Sequence, residues 1–244
     1  MRIGTKLSLV VVAALSFAPA VHAASLESGG MDAALEATAL TAATPVMVAQ
    51  ADATPAAAVD PAKLAPRRED GDLIMGAADA PVTIVEYASL TCPHCAAFHT
   101  KTLPKLKETY IDTGQVKLIY RDFPLDRVAL AAAMIARCVE PARSFAFLDV
   151  FFQQQSSWAA GSDPNRMIAA LKRLARIGGV TEAQSDACLA NRSVEDAVLQ
   201  QRLTGEQKFQ VNSTPTLIIN DRKYSGALSF EEIEKVIKPL LGRS

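Results

Sequence analysis

The residues of this 244-residue chain best placed to do chemistry are two cysteines in the run Cys92-Pro93-His94-Cys95. Thr91-Cys92-Pro93 reads as a helix start, with Thr91 the expected N-cap and Pro93 in the first turn, where its missing N–H costs nothing. A sulfur at that place faces unpaired backbone N–H groups and the positive end of the helix dipole, and both favour thiolate over thiol. Two intervening residues in a helical turn let the sulfurs meet as a disulfide closing a tiny ring. The thiolate belongs to the reduced form, so stabilising it makes the disulfide a stronger oxidant. His94, between the cysteines, can donate to the Cys92 sulfur or sit near it. Cys92 is then the expected attacking and leaving sulfur, and Cys95, one turn in, the more buried resolving partner. Such a pair exchanges thiols for disulfides without a metal or an organic cofactor.

Two blander chemistries use the same residues. Zinc could be held by Cys92 and Cys95, but a structural zinc site wants two more ligands, and only His99 lies on the same helix face. An inert structural disulfide is the other, and the helix start speaks against it because it lowers the thiolate pKa. His99 by itself reads as a surface or packing residue. The remaining cysteines, Cys138 and Cys188, fall in two different helical stretches, 50 residues apart. In an oxidising compartment two leftover cysteines pair more often than they stay free. A structural disulfide is therefore expected, worth about 4 kcal/mol in the chain-entropy description. Two buried free thiols are the alternative.

The elements that must position the first pair can be read around it. Segment 82–87 (VTIVEY) is β-branched and aromatic, follows Pro81 and reads as a buried strand. The helix opened at 91–93 should run to about Tyr110, kinked at Pro104. Gly114 breaks the chain, and 116–123 (VKLIYRDF) is a second strand, so the unit is βαβ with a parallel pair. From 125 to 210 everything reads as helix. Pro141 stops the first helix, Asp163-Pro164 opens one that closes at Gly178-Gly179, Thr181 with Gln184 is a capping box, and Ser193 with Asp196 resembles another. Met167, Leu171 and Leu174 share one helical face. Strand 216–220, a turn at Asn220-Asp221 and a short strand to Tyr224 follow. The last helix is capped by Ser229 with Glu232 and turns Ile233, Val236, Ile237 and Leu240 inward. The fold class is α/β, with strand material at 66–124 and 211–244 bracketing a helical insertion at 125–210.

The N-terminus reads differently. Arg2 and Lys6 precede an apolar run from Leu7 to Ala14, and Val21-His22-Ala23 offers small residues for cleavage, the layout of a secretory signal peptide at 1–23. Ser16, Pro19 and His22 interrupt the run before the roughly 20 apolar residues a membrane span needs. An uncleaved anchor or a buried helix is the alternative. Export implies the periplasm, where disulfides persist. Residues 24–65, rich in Ala, Thr and Pro, cannot bury enough surface to offset their ordering entropy and read as a flexible tether. Segment 31–40 could form a short helix that pairs chains, but a monomer is the expectation. A net charge of −1 gives no bulk reason to bind nucleic acid or acidic membranes.

Residues 80–87 (APVTIVEY), leading into Cys92-Pro93-His94-Cys95, resemble the DsbA family of thioredoxin-fold oxidoreductases. Pro-His between the cysteines is that family's hallmark, where thioredoxins usually carry Gly-Pro, and the helical insertion matches it too. The resemblance covers about 66–244. It implies a thioredoxin-like fold with an inserted all-helical domain, and an enzyme that introduces disulfides into reduced exported proteins. It also implies a membrane quinone-linked reoxidising partner of the DsbB type.

Two more site positions carry over from the resemblance. Thr214-Pro215 precedes the third strand, where thioredoxin folds place a cis-proline facing the active disulfide, and the backbone of the preceding residue can pair with an extended substrate segment. An ordinary trans proline at strand entry is the alternative. Oxidant members often carry Val before this proline; thioredoxins and isomerases commonly carry Thr, as here. Glu86, six residues before Cys92, matches an acidic residue buried beneath the disulfide and able to shuttle a proton to Cys95. A strand residue facing solvent is the alternative. Thr214 keeps a disulfide isomerase or reductase on the same fold open. A non-catalytic chaperone or peptide-binding module using the groove beside Pro215 is the reading of another class.

Overall fold

The computed structural model describes residues 67–69 and 71–242; the expected signal peptide at 1–23 and tether at 24–65 lie outside the described residues. Six strands form one sheet in the order β1-β2-β4-β3-β5-β6. They are β1 Arg67–Glu69, β2 Asp72–Met75, β3 Val82–Ala88, β4 Val116–Asp122, β5 Thr216–Ile219 and β6 Arg222–Ser225. β3 and β4 are parallel, with Glu86 opposite Tyr120, as a βαβ unit requires. The other pairings are antiparallel. The hairpin β1–β2 is not foreshadowed in the sequence, because strands of three and four residues are too short to show alternation.

Strand periodicity sorts the central residues onto two faces. Glu86 shares its face with Ile84 on β3 and with Leu118 and Tyr120 on β4. Tyr87 and Val85 point to the opposite face, where they join Phe123, Val211 and Ile218 in a small separate cluster.

Helix α1 (93–111) connects β3 to β4 and is irregular. Pro93–Ala97 and Leu103–Leu106 are α-helical, while Phe98–Thr102 and Lys107–Ile111 are π-helical. Pro104 has no N–H to return to the preceding turn, and the Leu103 N–H reaches back to the Phe98 carbonyl. The expected kink at Pro104 thus takes the form of π turns on either side of it.

The helical stretch after β4 comprises α2 Arg127–Arg137, α3 Pro141–Gln153, α4 Gln155–Trp158, α5 Pro164–Ile177, α6 Glu182–Leu189 and α7 Arg192–Phe209. Asp163 caps α5, and Thr181 with Gln184 forms the expected box on α6. The box expected from Ser193 and Asp196 is corrected: Asn191 caps α7, its side chain accepting from the Ser193 and Val194 N–H groups. Asn is as good an N-cap as Ser, and starting two residues earlier satisfies those donors sooner. Helix α8, Phe230–Leu241, carries the expected Ser229–Glu232 box and buries Ile233 and Ile237.

The insertion does not have a core of its own. Leu118 of the sheet, Leu106 of α1, Phe151 and Trp158 of the insertion and Ile237 of α8 belong to one continuous buried cluster. Its last helix, α7, returns to the sheet on the Tyr87 face. A Cβ at Gly205 would stand 2.7 Å from the Tyr87 ring, so only glycine permits that approach. Cys138, at the C-cap of α2, is bonded to Cys188 of α6, with the Cα atoms 6.2 Å apart.

Candidate active site

Cys92 is the N-cap of α1, and Cys95 lies one turn in. The two sulfurs are unbonded; Cys92 is 6% exposed and Cys95 0%. The capping role expected of Thr91 is corrected. Its hydroxyl donates to Asp126 Oδ2 and lies 3.2 Å from Ser89 Oγ, which ties the helix start to the loop after β4. Asp126 in turn caps α2 through its other oxygen. With Thr91 engaged elsewhere, the N–H groups of the first turn of α1 are left to the Cys92 sulfur.

The two thiols are driven in opposite directions. Cys92 is pulled down to about 5, foremost by a hydrogen bond from Cys95; burial opposes this, and the Thr214 side chain and the N–H groups of Cys95 and His94 reinforce it. Burial pushes the Cys95 thiol far up, and Cys92 and the Glu86 charge push it further. Only Cys92 is then a thiolate at neutral pH. His94 is exposed, and its contribution to the Cys92 thiolate is its backbone N–H.

Thr214-Pro215 is a cis peptide bond directly before β5, as the resemblance implied. In the thiol form Cys92 Sγ donates to the Thr214 carbonyl oxygen at 3.2 Å. Thr214 Oγ1 is buried without a hydrogen-bond partner in that form, and the Cys92 thiolate is the acceptor it lacks. Nothing in the sequence marks Gln155, whose side-chain amide donates to the carbonyls of Leu90 (2.8 Å) and Cys92 (3.0 Å) and braces the turn. Nor does anything mark Ser89, whose hydroxyl accepts from the Leu125 N–H. Polar residues in loops carry no periodicity from which such bonds could be read.

Glu86 is 0% exposed, so the solvent-facing alternative is ruled out. Its Oε2 lies 3.0 Å from His99 Nε2. Of the reading of His99 as a surface or packing residue, the surface half is corrected and the packing half holds: it is 4% exposed, stacked on Phe152 and paired with Glu86. Burial lowers its pKa, but the charge of Glu86 and the hydrogen-bonding reach of Asp149 outweigh that and raise it to about 9. One turn of spacing from Cys95 was the available signal; the partner on β3 was not visible without the fold.

The family described as Thioredoxin matches residues 68–239, and the chain belongs to it. Within that class its architecture is the DsbA type. Wolbachia pipientis alpha-DsbA1 superimposes with a TM-score of 0.66 at 30% identity, over 72% of this chain and 94% of that one. A “Putative protein-disulfide oxidoreductase” of Rickettsia bellii is 32% identical over 155 residues, 62% of this chain and 58% of the relative. Disulfide bond formation protein D of Bacillus subtilis is 27% identical over 184 residues, 71% of this chain and 79% of the relative. The chain thus spans about three fifths of the length of the Rickettsia relative. No helix among the described residues is long and apolar enough to cross a membrane.

Proposed function

We propose that this chain is an exported thiol–disulfide oxidoreductase that introduces disulfides into reduced proteins. The observation that carries the reading is the placement of the two sulfurs, Cys92 at the N-cap of α1 and 3.2 Å from the Thr214 carbonyl, Cys95 wholly buried one turn in; this holds Cys92 down to about 5 and pushes Cys95 up. A stabilised Cys92 thiolate favours the reduced enzyme and makes the Cys92–Cys95 disulfide oxidising. Export is supported by the layout of residues 1–23 and by the Cys138–Cys188 bond, since such bonds persist in oxidising compartments.

The reaction runs in two exchanges. A substrate thiolate attacks Cys92 Sγ, the Cys92–Cys95 bond breaks, and Cys95 leaves with the electron pair and takes up a proton. A second substrate thiolate attacks the substrate sulfur of the mixed disulfide and expels Cys92 as its stabilised thiolate. The substrate is oxidised by two electrons and the enzyme is reduced by two. The Thr214 backbone, next to the Cys92 sulfur, is where an extended substrate segment would be held. Glu86 serves as the proton store for Cys95. Turnover needs reoxidation, and a membrane quinone-linked protein of the DsbB type is the proposed partner.

Thr214 favours a second reading, an isomerase or reductase on the same fold, because thioredoxins and isomerases commonly carry Thr before this proline, where oxidant members often carry Val. The reduction potential separates the two. Equilibration with glutathione followed by alkylation should give about −120 mV for an oxidase of the DsbA kind, and about −270 mV, as in thioredoxin, would overturn the oxidase reading.

A further inference from the structure

The exchange chemistry leaves a proton to be moved at a closed site. Whenever Cys95 leaves or attacks, its sulfur must gain or lose a proton, yet the residue is 0% exposed. One turn along α1, His99 sits with Nε2 on Glu86 Oε2 at 3.0 Å. The other oxygen, Glu86 Oε1, is buried without a hydrogen-bond partner, and the Glu86 charge is felt at the Cys95 sulfur. On its far side His99 turns Nδ1 toward Asp149 of α3, 3.6 Å from Oδ1, and the Asp149 side chain is 44% exposed. The ring is hydrogen-bonded to Glu86 alone, its Nδ1 being buried without a hydrogen-bond partner, and it is stacked on Phe152 at a centroid distance of 4.1 Å and edge-on to Tyr120 at 5.9 Å.

Packing alone does not call for this arrangement. A buried charged pair is seldom more stabilising than an apolar pair of the same volume. An imidazole hydrogen-bonded at one nitrogen to Glu86, whose charge reaches the Cys95 sulfur, and turned at the other toward a carboxylate that reaches water can take a proton at one end and act at the other. Tyr120 from β4 also faces the ring, and beyond it Asp122 is held by Arg137 of α2 at 2.6 Å, which leaves Asp149 as the exposed acid on the path.

We propose that Glu86, His99 and Asp149 form a proton path between the buried Cys95 sulfur and solvent, with His99 as the relay and Asp149 as its outlet. The path rests on the reading of Cys92 and Cys95 as an exchanging pair. When Cys95 attacks a mixed disulfide on Cys92, a new Cys92–Cys95 bond forms and the glutathione or substrate thiolate leaves with the electron pair. The Cys95 proton passes to Glu86 Oε1. His99, charged until then, releases its Nδ1 proton through Asp149 to water and keeps Nε2–H on Glu86 Oε2. The buried site is thus left as a neutral carboxyl beside a neutral imidazole. When Cys95 next leaves as thiolate, Glu86 returns the proton and His99 is recharged at Nδ1 from solvent. One proton crosses per half-cycle, and the reaction balances. His99 and Asp149 are positioning and relay residues; neither touches the substrate.

Reduced full-length chain mixed with oxidised glutathione separates the steps, because mixed-disulfide formation at Cys92 is bimolecular and resolution by Cys95 is unimolecular. Acid quenching and mass analysis across pH 5 to 9 reads both. Asp149→Asn is expected to slow resolution at least about fivefold and His99→Gln at least about tenfold, with formation of the mixed disulfide unchanged. Asp149→Glu should restore the wild-type pH profile. Asp149 is exposed enough that its Asn variant folds even where the buried His99 variant does not. Resolution by Asp149→Asn at the wild-type rate throughout that range would overturn the path, as would equal slowing of both steps. Wild-type protein that forms no mixed disulfide at Cys92 would refute the exchange reading, and the path with it.

Discussion

The two cysteine pairs of this chain are chemically alike and differently placed. Cys92 and Cys95 share one turn at the start of α1, where a hydrogen bond from Cys95, the Thr214 side chain and backbone donors favour an ionised Cys92 sulfur. Cys138 and Cys188 join the end of α2 to α6 across 50 residues, and neither is the N-cap of a helix. The short ring does little for the entropy of the unfolded chain, while the long loop restrains it strongly. On the proposed function, placement divides the labour: the pair at a helix start is the reactive one, and the pair between helices the structural one.

Breaking each pair should show this division most sharply. Cys92→Ser is expected to lower disulfide introduction into a reduced, unfolded substrate by at least about a thousandfold, since the attacked sulfur is lost. Residual activity within tenfold of wild type would refute the assignment. Replacing Cys138 and Cys188 together by Ala should leave that activity within about twofold but lower stability to denaturant by about 2–4 kcal/mol. Unchanged stability would show that the second bond is dispensable.

The pH dependence sharpens the comparison further. Below about pH 5 both active sulfurs take up a proton on reduction, and the potential should fall by about 59 mV per pH unit. Above it only Cys95 does, and the slope should halve to about 30 mV per unit. The linkage to stability has a matching sign. Cys92 is depressed in the folded state, so its stabilisation of the reduced form is full above the unfolded thiol pKa and is lost as pH falls through about 5. Reduced and oxidised unfolding curves measured from pH 9 to 4 check this; a constant gap between them would contradict it. The smallest effect is expected from Thr214→Val, which removes one donor and should raise the Cys92 pKa by less than about one unit.

Much of this was legible because the signals were local. Val82 to Tyr87 is a strand by residue type, and Asp163, Thr181 and Ser229 cap their helices with partners one turn away. The site split along the same line. The Cys92–Cys95 spacing announced its chemistry, and the family resemblance placed Glu86 and Thr214 beside it. The hydrogen bonds that brace the turn come from residues far away in sequence: Asp126 withdraws Thr91 from capping, and Gln155 holds the turn. His99 looked unremarkable for the same reason, since its meaning lies in Glu86 on a strand 13 positions earlier and in Asp149 on α3. Short hairpin strands and side chains bonding across loops leave no periodic trace, so only the folded arrangement reveals them.

The most direct test of the account is the ionisation of Cys92 itself, followed by thiolate absorbance near 240 nm in the reduced protein and assigned with Cys92→Ser. A midpoint at about 5, with no second thiolate appearing below pH 9, is the result expected. A midpoint near 8.5, that of an ordinary thiol, would mean that the helix start and Thr214 do not stabilise the sulfur, and the oxidising reading would lose its basis.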